Sequence, residues 1–422
     1  MSGGKKERQK NMTFSKSVFV FAFVVAALLT VTIGLGGPAH VAMLIAAIVA
    51  GIVAVSSGYS WDELQEGIGD TIKAAVPAIL ILLAIGVIIG VWLLGGIVPT
   101  MIYYGLKILS PSVFLLASCL ICAVIATATG SSWSTVGTIG VALMGIGSGL
   151  GVPAGMTAGA IISGAYFGDK MSPLSDTTNL APAMAGTDIF THIRHMIYTT
   201  GPSFIIALIL YGIIGIKFAG NNFDSSLVEL YTSTLKDIFY VSPIMLIPPV
   251  LVIIMVIKKI PALPGLIAVA FLGCVFALVF QGADLQSVIS SAFSGFSIET
   301  GVAEVDKLLN RGGMTSMMEI ICLILISLSF AGIVEKSGMV NTVIERALKN
   351  ARKDSTVITA TLLSTIFTNF ATGVQYVALI IPGRMFKDIY KERGLHPKNL
   401  SRALEDTGTL CAPFVPWGTD AA

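Results

Sequence analysis

Twelve apolar segments recur along this chain of 422 residues, at about 17–35, 38–57, 76–95, 112–129, 131–150, 153–168, 200–218, 241–257, 262–280, 316–334, 355–373 and 374–386. Most approach the roughly 20 residues needed to cross the hydrocarbon of a bilayer. Lipid offers the backbone no hydrogen bonds, so each segment must satisfy its own by forming a helix. This pattern alone calls for an all-α, polytopic membrane protein. Charged residues make up 12% of the chain, against about 25% in soluble domains. The net charge of +2 carries no basic surplus, and no nucleic-acid partner is expected. Of Cys119, Cys122, Cys274, Cys322 and Cys411, the first four fall in these apolar segments and Cys411 in an apolar run beyond them. Cys119 and Cys122 form a C-x-x-C that reads as core packing, because no second ligand pair accompanies it.

One stretch inside this apolar chain is polar: Gly168-Asp169-Lys170-Met171-Ser172-Pro173-Leu174-Ser175-Asp176-Thr177-Thr178-Asn179-Leu180-Ala181-Pro182. It holds two carboxylates, four hydroxyls, an amide and two prolines. The prolines block a continuous helix and leave carbonyls without intrahelical partners. A bilayer tolerates such backbone only where it is buried in protein or lines a cavity. Carboxylates, hydroxyls and free carbonyls are the ligand set of a hard cation such as sodium. The segments 153–168 and 374–386 are short and read as half-helices or re-entrant hairpin arms. The amphipathic stretch 60–75, with Trp61-Asp62-Glu63-Leu64-Gln65-Glu66, is expected to lie along the interface.

Residues 1–16 form a basic tail with Lys5, Lys6, Arg8, Lys10 and Lys16. The apolar run that follows is too long for the core of a signal peptide. With this tail inside and every segment crossing, Lys170, Arg194, Lys258 and Lys259 fall inside. So do the basic groups Lys336, Arg346, Lys349, Arg352, Lys353 and Arg384, Lys387, Lys391, Arg393, Lys398. The loop 281–314, with Asp284, Glu299, Glu304 and Asp306, falls outside. The charge bias of cytoplasmic loops supports this orientation, a multi-pass protein of the cell membrane with a cytoplasmic amino terminus.

The chain also echoes itself. Gly96-Ile97-Val98-Pro99-Thr100-Met101-Ile102 resembles Gly338-Met339-Val340-Asn341-Thr342-Val343-Ile344. Ala128-Thr129-Gly130-Ser131-Ser132-Trp133 is followed later by Ala371-Thr372-Gly373-Val374-Gln375-Tyr376. The run 174–182 is echoed by Leu404-Glu405-Asp406-Thr407-Gly408-Thr409-Leu410-Cys411-Ala412-Pro413. Three matches in one order argue for two repeats, over 17–220 and 241–422, joined by a connecting loop at 221–240. An odd number of crossings in the first repeat makes the second inverted, with broken helices at the centre, as in secondary transporters. The first repeat follows its motif with an apolar helix at 200–218 and the second does not. A final helix is therefore expected to be missing, leaving Pro413, Phe414 and Trp417 without cover.

Gly168 through Pro182, continuing as Ala183-Met184-Ala185-Gly186-Thr187-Asp188-Ile189-Phe190-Thr191-His192-Ile193-Arg194-His195-Met196, closely resembles the signature of the NhaC family of sodium/proton antiporters. Ser401-Arg402-Ala403-Leu404-Glu405-Asp406-Thr407-Gly408, with Pro416-Trp417-Gly418-Thr419, resembles that family's second signature. The resemblance implies antiport, pH homeostasis, and a fold with inverted repeats and paired hairpins. It also implies relatives that couple sodium and protons to malate or lactate, and it leaves a homodimer open.

The candidate ion-binding and proton-coupling residues are Asp169, Ser175, Asp176, Thr177, Thr178 and Asn179 with Glu405, Asp406, Thr407 and Thr409, sodium being held at Asp176 and Asp406. Thr129, Gly130, Ser131, Ser132, Asn369 and Thr372 are expected to line the cavity. Simpler roles compete with these. Asp176 and Asp406 fit helix caps, Asp169 with Lys170 a loop ion pair, Asn369 a bond between helices, and His192 and His195 interface packing. An ionised carboxylate at membrane depth is costly and favours function. Desolvation disfavours its charged form, so a proton and a sodium ion compete for it. The runner-up readings are a sodium-coupled organic acid antiporter, a channel and a membrane-embedded hydrolase. The chain carries no nucleophile elbow, zinc-binding helix or phosphate loop. No cofactor is expected; sodium and protons are cargo.

Overall fold

A computed structural model describes residues 10–218, 225–258, 260–348 and 353–420. Lys5, Lys6, Arg8, Lys259, Lys349 and Arg352, assigned to the inner side from sequence, lie outside these residues. Regular structure among the described residues is helical, apart from one antiparallel bridge, Phe296–Arg311. Among the described residues, seven helices are long and apolar enough to cross a membrane: Phe14–Gly34, Ala39–Ser56, Trp61–Leu94, Pro111–Thr129, Ile189–Lys217, Leu263–Phe280 and Met314–Lys336. An eighth span results if Val228–Ile238 and Pro243–Met255, bent by 98°, are taken together. The chain is thus an all-α, multi-pass membrane protein. Its outer surface shows why: Ile205, Ile206, Ile209, Leu210, Ile213 and Ile216 of one helix are all exposed, a face suited to lipid and not to water.

The remaining apolar segments form helices of another kind. Ala154–Met171, Asp354–Thr372 and Gln375–Glu392 have spanning length but carry Asp169, Lys170, Asn369, Arg384 or rows of threonine. Segment 131–150 is divided into a short helix Ser132–Thr135, a π-helical turn Val136–Gly140 and a helix Val141–Gly149. The stretch 60–75 is not a separate interfacial helix. It forms the first turns of the 34-residue helix Trp61–Leu94, which continues through Pro77. The connection 221–240 holds a helix, Ser225–Ile238. The loop 281–314 holds two, Leu285–Ser294 and Ala303–Leu309.

The chain divides into two compact units, each discontinuous in sequence. One comprises Met1–Val76, Asn179–His195 and Ile320–Ala422; the other comprises Pro77–Thr178 and Met196–Glu319. In the second unit, Gly164 meets the carbonyl of Cys119, and Gly168 that of Ala123. A side chain at either glycine would collide with that backbone. The contacts advance together along both helices, so 111–129 and 154–171 run parallel, with 132–149 returning between them. Cys119 and Cys122 are buried at this seam. The indole of Trp92 donates to the carbonyl of Val269 at 3.0 Å, and Phe167 stacks on Phe204 with centroids 3.7 Å apart.

The first unit repeats the arrangement. Asp354–Thr372 is followed by the return helix Gln375–Glu392, whose exit is marked by the Arg393–Asp354 pair at 3.1 Å. Pro397–Gly408 then runs back in the direction of 354–372, and Asn369 Nδ2 donates to the carbonyl of Gly408 at 2.6 Å. Thr361 and Tyr390 hydroxyls meet at 3.1 Å across the same bundle. Close contact of Gly67 with Gly332 lets two further helices approach.

Candidate functional site

Both units contain the same local device. A 19-residue helix ends on a glycine in the left-handed conformation, Gly130 in one unit and Gly373 in the other, each at φ 67°. The next residue is extended, Ser131 at φ −149° and Val374 at φ −130°. A threonine one residue before each glycine bridges the gap. Ser131 N donates to Thr129 Oγ1 at 3.1 Å, and Val374 N to Thr372 Oγ1 at 3.3 Å. A Cβ is disfavoured in this conformation. At Gly130 it would also collide with the backbone of Leu174, from the polar stretch. Sequence periodicity reads 112–129 and 355–373 as ordinary helices, but their ends are shaped by these glycines.

Beside the first break sits Asp169, on the last turn of 154–171. It is 9% exposed, and its Oδ2 accepts from Ser132 N at 3.0 Å and Ser132 Oγ at 2.7 Å. Ser175 also reaches this carboxylate, and the charge of Asp176 is close enough to act on it. Ser175 and Thr177 hydroxyls meet at 3.1 Å, while Thr178 Oγ1 donates to the carbonyls of Asp169 at 3.3 Å and Lys170 at 3.0 Å. Asp176 opens the helix Asp176–Ala185. Asp176 and Asn179 are exposed, whereas Ser175, Thr177 and Thr178 are buried. The structure therefore draws Asp169, Ser132, Ser175, Thr177 and Thr178 together around the Gly130 break. The carboxylate of Asp169 is held by the two Ser132 donors. The hydroxyl of Ser134 is buried without a hydrogen-bond partner.

In the other unit Glu405 is fully buried, and its Oε1 accepts from Thr409 Oγ1 at 2.9 Å. Asp406 lies 4.0 Å from Arg402 on the preceding turn. Asp406 stands near the end of Pro397–Gly408 and does not open a helix, so the capping role shared with Asp176 does not hold for it. The reason is backbone context, since a similar run of residues ends one helix and begins another. Thr407 turns its hydroxyl to the carbonyl of Ala403 at 2.7 Å, along its own helix. Thr372 does the same toward Thr368 at 2.8 Å. Asn369 bonds Gly408, the interhelical bond weighed from sequence, while its Oδ1 is buried without a partner.

Two features escaped sequence reasoning. His192 is fully buried, with Nδ1 2.9 Å from Ser401 Oγ, and His195 Nε2 is 2.9 Å from Asn399 Oδ1. The two signatures are joined here, 209 residues apart in the chain. The run 409–420 is also folded onto its unit. Ser327 Oγ donates to the carbonyl of Trp417 at 2.8 Å, and the Trp417 indole donates to that of Phe370 at 3.0 Å. Val415 and Ala412 are buried; of the three residues expected to lack cover, Phe414 is exposed while Pro413 and Trp417 are half-buried. The first of these needed knowledge of packing. The second had a signal in the sequence, a proline and a Gly-Thr-Asp run resembling Pro173-Leu174-Ser175-Asp176.

The sequence profile of the Na+/H+ antiporter family matches residues 164–422, which takes in the second cluster and, of the first, Asp169, Ser175, Thr177 and Thr178. The malate-2H(+)/Na(+)-lactate antiporter of Bacillus subtilis (strain 168) is 40% identical over 405 residues, covering 96% of this chain and 86% of that protein. The Na(+)/H(+) antiporter NhaC of Alkalihalophilus pseudofirmus is 38% identical over 415 residues, covering 98% and 89%. The arginine/ornithine antiporter ArcD of Halobacterium salinarum is 36% identical over 414 residues, covering 97% and 85%.

Proposed function

Given that this chain belongs to the Na+/H+ antiporter family, whose members are transporters and not enzymes, we propose that it exchanges sodium for protons across the cell membrane by alternating access. The observation that carries this reading is Asp169, a carboxylate held at a helix break by two donors from Ser132. Around it stand Ser175, Thr177, Thr178 and, exposed, Asp176, with Asn179 following in the chain. Hydroxyls, carboxylates and the carbonyls freed at the break suit a hard monovalent cation. A proton and sodium compete for the same oxygens, so loading one expels the other. Glu405, Asp406, Thr409 and Asn369 form the corresponding polar group of the second half. Rocking of two inverted repeats, 17–220 and 241–422, would expose the site to alternate sides.

The test is exchange in proteoliposomes, reading sodium-driven proton movement with and without malate and lactate. Sodium/proton exchange in the absence of organic acid supports the proposal. Exchange that requires malate or lactate transfers the function to the second reading, which the relative from Bacillus subtilis favours. The proposed orientation places 281–314 outside and 384–398 inside. Cysteine substitutions at 299 and 391, labelled from outside intact cells, should react only at 299. Labelling at 391 alone reverses the topology.

A further inference from the structure

The polar run at 174–182 resembles 404–413 by sequence, yet the two breaks pair differently in space. Against Gly130 lies Leu174, two residues before Asp176; against Gly373 lie Trp417 and Gly418, the latter two residues before Asp420. Ser175-Asp176 is thus placed in its unit as Thr419-Asp420 is placed in the other. Thr419 N donates to the carbonyl of Gly373 at 2.9 Å, which fastens this segment to the break. Asp420 Oδ2 accepts from Thr419 Oγ1 at 2.9 Å, and Oδ1 accepts from Gln375 Nε2 at 2.9 Å. Gln375 stands two residues after Gly373, as Ser132 stands two after Gly130.

From this geometry we propose that Asp420, with Gln375 and Thr419, is a second cation-binding carboxylate site, taking sodium or a proton at the Gly373 break. The assignment rests on the antiport reading above. Gln375 is 7% exposed and its Oε1, on the same planar amide that holds Asp420, has no hydrogen-bond partner. Asn369, 1% exposed and on the last turn before Gly373, also has its Oδ1 unpartnered. A buried amide oxygen without a donor is costly, and a cation bound against the Gln375 amide oxygen removes that cost. The donor set of carboxylate, amide oxygen and hydroxyl is all oxygen and suits a hard cation.

The experiment uses the full chain in proteoliposomes with sodium chloride as the probe. Sodium half-saturation, the pH profile of exchange and thermal stability are read at matched protein levels. Asp420→Asn should raise the sodium half-saturation roughly tenfold or more and shift the pH profile, and Asp420→Glu should restore part of the affinity. Gln375→Leu, which keeps the carboxylate, should raise half-saturation severalfold and carries the test if Asp420→Asn fails to insert. Unchanged half-saturation and pH profile in whichever variant inserts overturn the site. Asp169→Asn is run beside them. Loss of exchange there with normal behaviour at Asp420 defeats only this inference, whereas normal exchange by Asp169→Asn defeats the site proposed for antiport.

Discussion

At Gly130 and at Gly373 the backbone does the same thing: a helix of 19 residues, a glycine at φ 67°, an extended residue and a returning helix. In both units a third helix then runs parallel to the first. The chemistry laid on this frame differs. Beside Gly130 the carboxylate of Asp169 is held by the backbone and hydroxyl of the returning helix, through Ser132. Beside Gly373 the returning helix offers an amide, Gln375, and that amide holds Asp420. Glu405, near the end of the third helix, accepts from Thr409 one turn along. The difference teaches that the break is a reusable backbone part, because it needs only a glycine and a capping threonine. The carboxylate that occupies it is set by whichever segment packs there.

The largest test of this comparison is at the carboxylates. Asp169→Asn and Asp176→Asn should each bring exchange to background in inverted vesicles, since the amide keeps the shape and cannot trade a proton for sodium. Wild-type exchange by either variant at equal expression removes that residue from the site.

Next come the glycines. Alanine at Gly373 incurs the left-handed penalty of roughly 1–2 kcal/mol, with neighbours no closer than 3.1 Å. Alanine at Gly130 incurs the same penalty and also collides with Leu174, its nearest approach being 2.6 Å to backbone. Thermal unfolding in detergent should therefore show Gly130→Ala as the more destabilised. The reverse order would mean that the Leu174 contact yields more easily than the turn at Trp417.

The finest contrast separates two threonines on either side of Gly408. Thr409→Val removes a donor to buried Glu405 and should cost about 0.5–1.5 kcal/mol, the net scale of an intramolecular hydrogen bond. Thr407→Val removes only a bond to its own helix carbonyl and should change stability and sodium affinity by less than about twofold in the latter. Equal losses at both positions would show that Glu405 does not depend on Thr409.

The membrane class and the helical content were readable from the residues alone, and the apolar segments read from them end at 129 and 373, at or beside the two glycines. Apolar runs near 20 residues have one solution in lipid, and Ala-Thr-Gly followed by a polar or extended residue is a local instruction. What the residues did not disclose was pairing. Asp169 with Ser132 spans 37 positions, Gln375 with Asp420 spans 45 and His192 with Ser401 spans 209. The resemblance of 174–182 to 404–413 pointed to Asp406 as the partner of Asp176. The fold places Asp406 near a helix end and sets Asp420 against the second break. Helix formation and capping depend on neighbours within a few residues, so sequence determines them. Which carboxylate meets which donor depends on how helices pack across the unit, and only the tertiary structure decides that.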